Sequence, residues 1–348
     1  MSWFFFAALS LAGWGFADLF YKTGSDENDR YSHLKIAVWV GLMLGLCALI
    51  MVPFAENAMT PSQLLRNAVA YLPASLSYII SMIIGYAGLR YLELSIISPV
   101  QNASGALSIL CMILFFIFTG NGDNVAEIYN PLNIAGTATV ILGVVGIAIV
   151  EKKEAQREAA GPAGELHGSG EGKAALYESR EGKAELHGSG EGDRRYRMGA
   201  LALLFPILYC VFDTIGTAAD GVILDENTGL GLGEIDVIIL YGLTFFLVGL
   251  ICWFVLWIKE KKVYNPFTSH ELPKAAAAGC EAAGQVFYVY AMAANPLLSA
   301  PMIASYCVLS VALSRIFLKE KLAQTQYGCV GLVIVGILLF GIAEGLSA

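Results

Sequence analysis

The stretch IDVIILYGLTFFLVGLICWFVLWI (Ile235–Ile258) carries one charged residue, Asp236, in a run that is long enough to cross a lipid bilayer. A membrane-spanning helix needs about 20 consecutive, mostly apolar residues. Comparable runs recur along the chain, and together they predict ten transmembrane helices. The ten runs are Trp3–Tyr21, Ile36–Phe54, Tyr71–Leu89, Ile96–Phe118, Leu132–Val150, Met198–Ala218, Ile235–Ile258, Ala275–Ala294, Leu297–Leu318 and Tyr327–Ala343.

The composition supports a membrane protein. Hydrophobic residues make up 57% of the 348 residues and charged residues only 14%, whereas soluble domains carry about 25% charged residues. Open sheets cannot cross lipid, and no stretch alternates like a barrel strand. The predicted fold class is therefore an all-α integral membrane bundle.

Several function classes lack their sequence signals. No basic cluster is interleaved with aromatic residues, so we expect no nucleic-acid partner. The seven cysteines have no metal-ligand spacing, and we expect neither a metal nor another cofactor. No P-loop, His-Glu-x-x-His motif or Gly-x-Ser-x-Gly elbow is present, so we expect no ATP-driven pump and no enzyme.

A long polar stretch divides the chain into two similar parts. It contains the quasi-repeated decapeptides GPAGELHGSG, EGKAALYESR and EGKAELHGSG (161–190), and a segment without an apolar face does not offset its ordering entropy. We therefore predict a disordered linker at 151–196 between a first five-helix repeat at 1–150 and a second at 197–348.

The two parts share residues at a constant offset. Asp213 follows Asp18 by 195 positions, and GLVIVGILLFGIA (Gly331–Ala343) follows GTATVILGVVGIA (Gly136–Ala148) by the same interval. Five helices are an odd number, so the second copy enters the membrane upside down. Inverted repeats of this kind are typical of secondary transporters, which bind substrate near the midplane between the repeats.

The basic residues indicate an orientation. Of 21 Lys and Arg residues, 20 fall in or beside the odd-numbered loops, and only Arg66 lies on the other side. Cytoplasmic loops are rich in Lys and Arg. We therefore expect a multi-pass protein of the plasma membrane with both termini outside the cytoplasm.

Apart from Asp236 at the very start of its run, three acids lie within predicted membrane helices, where a charge is costly. Asp18 and Asp213 occupy equivalent places in the first and sixth helices, as ion-coupling or gating residues or as side chains that reach the interface. Glu281 shares a helix face with Gln285 and Tyr288. That face either lines a substrate cavity or makes a structural bond between helices.

Other polar and aromatic residues are weaker candidates for substrate contact. Gln101 and Asn102 follow Pro99, which frees backbone carbonyls near them, and Tyr306 follows Pro301 in the second half. Trp14 and Tyr78 could stack on a ligand, or they could belong to the core or the aromatic belt. Acids without a basic residue favour an amine-bearing, cationic or zwitterionic substrate over a phosphorylated anion.

Two segments resemble a known family. SRIFLKEKLAQTQYGCVGLVIVGILLFGI (Ser314–Ile342) is similar to the end of an EamA-type domain of the drug/metabolite transporter superfamily, and YLELSIISPVQNASGALSILCMILFF (Tyr91–Phe116) is similar to its third-to-fourth helix passage. The resemblance implies a ten-helix carrier of a small metabolite, in many relatives coupled to protons. Relatives usually keep both termini in the cytoplasm, and the small multidrug exporters carry a mid-helix glutamate where this chain has Trp14.

These observations predict a secondary active transporter that works by alternating access and is driven by protons or another ion. Its expected partners are a small-molecule substrate and the lipid bilayer, with a homodimer as an open possibility. The alternatives are a flippase for a lipid-linked intermediate, an uptake carrier for a neutral sugar, and a sensor or scaffold that acts through the linker.

Overall fold

The computed structural model describes residues 2–26, 29–55, 60–120, 130–160, 202, 204–225, 230–319 and 324–347. Nearly all of them are helical, and none of these ranges contains a β-strand. The repeated decapeptides of the predicted linker lie outside the described residues.

Twelve α-helices make up the described structure. They are α1 (Trp3–Gly24), α2 (Ser32–Met51), α3 (Pro61–Gly88), α4 (Leu94–Asn102), α5 (Ser104–Phe118), α6 (Pro131–Ala160), α7 (Leu204–Ile223), α8 (Glu234–Glu260), α9 (Leu272–Ala294), α10 (Pro296–Ala304), α11 (Tyr306–Leu313) and α12 (Gln324–Ser347). A 3₁₀ turn, Val52–Phe54, extends α2, and a π-helical turn, Ser314–Leu318, extends α11.

Within the part of the chain that the structure describes, eight helical segments are long and apolar enough to cross a membrane. Two of them are composite, because α4 joins α5 and α10 joins α11 within one segment each. The remaining long helices are α6, whose apolar described part is Pro131–Ile147, and α9, which carries Glu281 and Gln285. The chain is thus an all-α protein with the composition of a multi-pass membrane protein.

The two composite segments are interrupted at matching places. The α4 helix contains Pro99 and gives way to α5 at Ala103, and α10 contains Pro301 and gives way to α11 at Ser305. Proline has no N–H to donate to the helix ladder, so the helical pattern is disturbed nearby. In a bilayer such breaks are tolerated where the freed backbone lies against protein. The residues after each proline are therefore candidates to line an internal site.

The longest helices pack in antiparallel pairs. In the α2–α8 pair, Gly41 lies against Gly249 while Ala48 lies against Gly242. The α6–α12 pair has the same form, with a contact from Gly136 to Phe340 near one end. Small residues let helix backbones approach closely in lipid, where packing drives association.

Two more antiparallel pairs enclose the centre. Gly13 of α1 lies against Gly284 of α9, and Gly24 lies against Lys274. In the α3–α7 pair, the ring of Tyr209 lies within reach of Gly85. Because Tyr71 and Tyr288 both bind Asp220 at one end, while Tyr86 and Glu281 meet at the other, α3 and α9 also run in opposite directions. These relations make α1 and α7 antiparallel.

Large apolar side chains on the outer surface face away from the bundle. Among the most exposed are Leu49, Phe54, Phe118, Leu142 and Ile251, each at least 60% exposed. Soluble monomers rarely expose such continuous apolar surface. A lipid environment removes its cost, because hydrocarbon chains solvate these groups.

Ion pairs join the chain near the first and seventh loops. The Lys35 ammonium lies 2.8 Å from Asp29 and 2.8 Å from Glu260, and Lys274 lies 2.8 Å from Glu271. Burial would raise the pKa of the Asp29 carboxyl, but the ion pair with Lys35 and the backbone N–H of Tyr31 outweigh burial and hold that pKa below its ordinary value. The two ion pairs of Lys35 join the start of α2 to the first loop and to the end of α8, and the Lys274–Glu271 pair is local to the start of α9.

Candidate functional site

A central cavity lies between the two halves of the chain and consists of two adjoining chambers. The Asp18 chamber has room for about one water molecule. The Asp213 chamber has room for about the same. Each chamber takes its lining from both halves, and four aromatic residues line both: Trp14, Tyr78, Tyr209 and Tyr306.

Asp18 is bound by two serines, one from each interrupted segment. Ser98 directly precedes Pro99, and Ser310 lies nine positions after Pro301. Ser98 of α4 and Ser310 of α11 each donate a hydrogen bond of 2.7 Å to Asp18 Oδ2. Both serines therefore use the same oxygen, and Oδ1 makes no hydrogen bond to a described residue. The carboxylate thereby joins α1 to the interrupted helices of both halves.

Asp213 repeats this arrangement on the other side of the shared aromatic residues. Its Oδ2 accepts a hydrogen bond from Ser104, the first residue of α5. Its Oδ1 is buried and has no hydrogen-bond partner. Each of the two aspartates is thus bound by a serine from the opposite half of the chain and keeps one oxygen available.

Glu281 adds a third carboxylate, in the Asp18 chamber. Glu281 is 4% exposed, Tyr21 lines the same chamber, and Oε1 of Glu281 has no hydrogen-bond partner. Gln285, one turn further along α9, is 1% exposed, and neither atom of its amide is hydrogen-bonded. Buried polar atoms without partners cost free energy in a folded protein. Such atoms beside a cavity mark places where a ligand or water would bind.

The shared aromatic residues form a wall around Trp14. The Trp14 ring centroid lies 5.1 Å from that of Tyr288, 5.8 Å from that of Tyr306 and 6.1 Å from that of Tyr78. The Trp14 indole N–H is buried without a partner. Aromatic faces attract cations and also pack against methylene groups. The wall can therefore hold an organic ammonium group or the alkyl chain attached to one.

No Lys, Arg or His is among the described residues that line the two chambers. Lys22, one turn after Asp18 at the end of α1, donates to the carbonyl oxygens of Leu89, which lines the Asp18 chamber, and of Leu92, at 2.7 and 2.9 Å. It thereby satisfies carbonyls at the C-terminal end of α3. The cavity as described holds three carboxylates and no cationic side chain.

Asp220 forms a buried cluster that the sequence analysis missed. Tyr71 of α3 donates to its Oδ1 at 2.8 Å, and Tyr288 of α9 donates to its Oδ2 at 3.0 Å. The aspartate is 1% exposed. Its partners are 149 and 68 positions away in sequence, and Asp220 lies close enough to a helix end to look interfacial. The only available sequence signal was that Asp220 follows Asp213 by two helical turns and so shares its face.

The structure brings the predicted site residues together. Nine of the ten residues proposed from the sequence line one chamber or both, and the tenth, Gln285, is buried one turn from Glu281. The nine are Trp14, Asp18, Tyr78, Gln101, Asn102, Asp213, Glu281, Tyr288 and Tyr306. The tyrosines at 21, 86 and 209 also line the cavity and were not singled out from the sequence.

Comparison with known proteins gives a fold and no family. No protein-family model matches the chain, and no curated protein sequence matches it. Solved structures do match it, with 23 matching chains. In one of them, a protein crystal structure, the match covers 99% of each chain with a TM-score of 0.55 and 14% sequence identity. At that identity the likeness concerns the fold alone.

Proposed function

We propose that this protein is a secondary active transporter for a small, amine-bearing cationic or zwitterionic metabolite. The observation that carries the proposal is the central cavity, in which three carboxylates surround an aromatic wall and no basic side chain is present. A positively charged group would satisfy the unpartnered oxygens of Asp213 and Glu281 and stack against the wall. Phosphorylated anions would instead need Arg or Lys in the site.

Helix packing supports ten membrane crossings. The α9 helix lies along α1, with contacts from Gly24–Lys274 at one end to Phe6–Tyr290 near the other. The α6 helix lies along α12 in the same way. Trp3 donates a hydrogen bond of 2.7 Å to Glu344, so the first and last helices begin and end on one side. The contact between Trp3 and Glu344 requires an even number of crossings. Because α6 and α9 lie along α12 and α1, we count them as crossings too, and with the eight apolar segments they make ten.

The pattern of helix pairs supports two inverted repeats. Suppose that α1, α2, α3 and α6 of the first half correspond, in order, to α7, α8, α9 and α12 of the second half. Exchanging the two halves then turns the α1–α9 pair into the α7–α3 pair. The α2–α8 and α6–α12 pairs exchange into themselves, and both are antiparallel. A two-fold axis in the membrane plane relates helices in this way. The cavity lies where the two halves meet, as alternating access requires.

The resemblance to EamA-type transporters belongs to the same proposal. It is supported by the helix breaks after Pro99 and Pro301, which place Gln101, Asn102 and Tyr306 on the cavity. Coupling to protons or another cation is supported by the excess of carboxylates over the charge of a single amine.

The test is transport by the purified full-length protein in liposomes. We expect an imposed ion or proton gradient to drive uptake of small amines, with little uptake of sugars or phosphorylated metabolites. Glu281→Gln should lower amine uptake at least about tenfold, whereas Glu234→Gln, at the start of α8 and outside the cavity, should not. Uptake of a neutral sugar or a phosphate ester without any amine would refute the proposed substrate class.

A further inference from the structure

A site for a single ammonium group needs carboxylates at one place only, whereas this cavity has carboxylates in both of its chambers. Asp18 and Glu281 lie in one chamber and Asp213 in the other, with the aromatic wall between them. A substrate with one positive charge would leave the carboxylate of the other chamber without a counter-charge. A buried carboxylate without a partner is costly.

Helix geometry sets the distance between the two aspartates. Trp14 and Tyr209 each line both chambers and so mark their boundary. Asp18 follows Trp14 by four residues on α1, and Asp213 follows Tyr209 by four residues on α7, so each lies about 6 Å along its helix from the boundary. Because α1 and α7 are antiparallel, these displacements point in opposite directions. Along the helix axes the two carboxylates are then about 12 Å apart or less, since helical side chains lean back toward the N-terminus, and the lateral distance between α1 and α7 adds to that separation.

We propose that the cavity binds a short linear diamine, with one ammonium group in each chamber and its methylene chain against the aromatic wall. This proposal rests on the proposed function and names its substrate class. One ammonium group would bind Asp18 and Glu281, and the other would bind the free Oδ1 of Asp213. The alkyl chain between them would pack against the ring faces of Trp14 and the tyrosines beside it.

The separation of the two carboxylates limits which dications fit the cavity. An ammonium–carboxylate contact places nitrogen and oxygen about 2.8 Å apart. Along the helix axes, one such contact at each end leaves about 6 Å between the two nitrogens, and the lateral distance between α1 and α7 lengthens the span. The alkyl chain of the ligand must match that span, so affinity should depend on chain length.

The experiment is calorimetric titration of the purified full-length protein with the α,ω-diamines from diaminopropane to diaminooctane. Each diamine is compared with the n-alkylamine of the same chain length. We expect an optimum at one chain length within the series and at least about tenfold tighter binding of the optimal diamine than of its monoamine. Asp213→Asn should reduce diamine affinity to the level of the monoamine and change monoamine affinity much less.

The possible failures are distinguishable. If monoamines bind and diamines bind no better at any chain length, the two-ended site is wrong and a carrier for single amines stands. If neither series binds to well-folded wild-type protein, the proposed cation specificity itself is wrong. Because the comparison of chain lengths uses only wild-type protein, it decides the proposal even if the Asp213 variant fails to fold.

Discussion

At the scale of single residues, the buried carboxyl groups of Asp220 and Glu281 differ in their hydrogen-bond partners. Asp220 has a tyrosine hydroxyl on each oxygen, whereas Glu281 has an oxygen without a partner. A carboxylate with its hydrogen bonds in place contributes to stability, and one without them detracts from it. The two acids should therefore respond in opposite ways to the same loss of charge.

Neutralising Glu281 should leave the protein as stable as before, or more stable, while impairing transport. Glu281→Gln keeps the size of the side chain and one acceptor oxygen, and it removes a buried carboxyl group that no described cation balances. The measurements are the midpoint of thermal unfolding in detergent and amine uptake in liposomes. A clear loss of stability with normal uptake would show that the carboxylate is structural.

Neutralising Asp220 should have the reverse effect on stability. An amide offers one acceptor oxygen and turns an N–H₂ group toward the second tyrosine hydroxyl, so Asp220→Asn should cost about 1–3 kcal/mol of unfolding free energy. Tyr71→Phe, which removes one of the two hydrogen bonds, should cost less. Equal or greater stability of Asp220→Asn in the same unfolding assay would contradict this assignment.

The rule that charges are rare within membrane helices was enough to select Asp18, Asp213 and Glu281 from the sequence. The structure places all three on the cavity. The rule did not select Asp220, because its position near a helix end has an ordinary explanation and its partners come from distant helices. Single-residue chemistry can be predicted, whereas three-dimensional hydrogen-bond partners cannot.

At the scale of elements, the apolar runs predicted where helices lie better than where they end. The α3 helix begins at Pro61, ten positions before the predicted Tyr71, because Thr60 and Gln63 form a capping box ahead of the apolar run. The α6 helix continues to Ala160, past the predicted boundary at Val150. Hydropathy detects only the lipid-facing part of a helix, and polar extensions depend on caps and local bonds.

The contact between α6 and α12 offers a matched test of helix packing. A Cβ atom added at Gly336 would lie 2.5 Å from Val140 Cγ2 and 2.8 Å from the Gly136 carbonyl oxygen, whereas one added at Gly331 meets nothing within 4 Å. We expect Gly336→Ala to cost about 1–3 kcal/mol through overpacking. Gly331→Ala, the same change on the same helix, should be neutral or slightly stabilising.

Thermal unfolding of the two glycine variants in detergent measures the difference. Amine binding by the surviving folded Gly336→Ala protein should be close to that of wild type, because neither glycine lines a chamber. Equal unfolding midpoints for the two variants would mean that α6 and α12 do not pack as closely as described.

At the scale of the whole molecule, the constant offset between the halves predicts a duplication, and it does not predict which helices of the two halves pack together. The sequence matches align α1 with α7 and α6 with α12, yet α1 packs along α9 and α3 packs along α7. This exchange places an aspartate of each half against a serine of the other. Only long-range packing decides such pairing, and no local pattern in the chain reports it.

The membrane orientation is the last prediction, and it follows from charge. Of 21 Lys and Arg residues, 20 lie in or beside the odd-numbered loops, and the ion pairs of Lys35 and Lys274 lie at the end of α1 opposite Trp3. Trp3 and Glu344 are hydrogen-bonded, so both termini share the other side. Since basic loops stay in the cytoplasm, a periplasm-dependent phosphatase fused after Ala348 in a bacterial host should be active. The same phosphatase inserted after Lys262, in the seventh loop, should be inactive, and the opposite result at both sites would reverse the orientation.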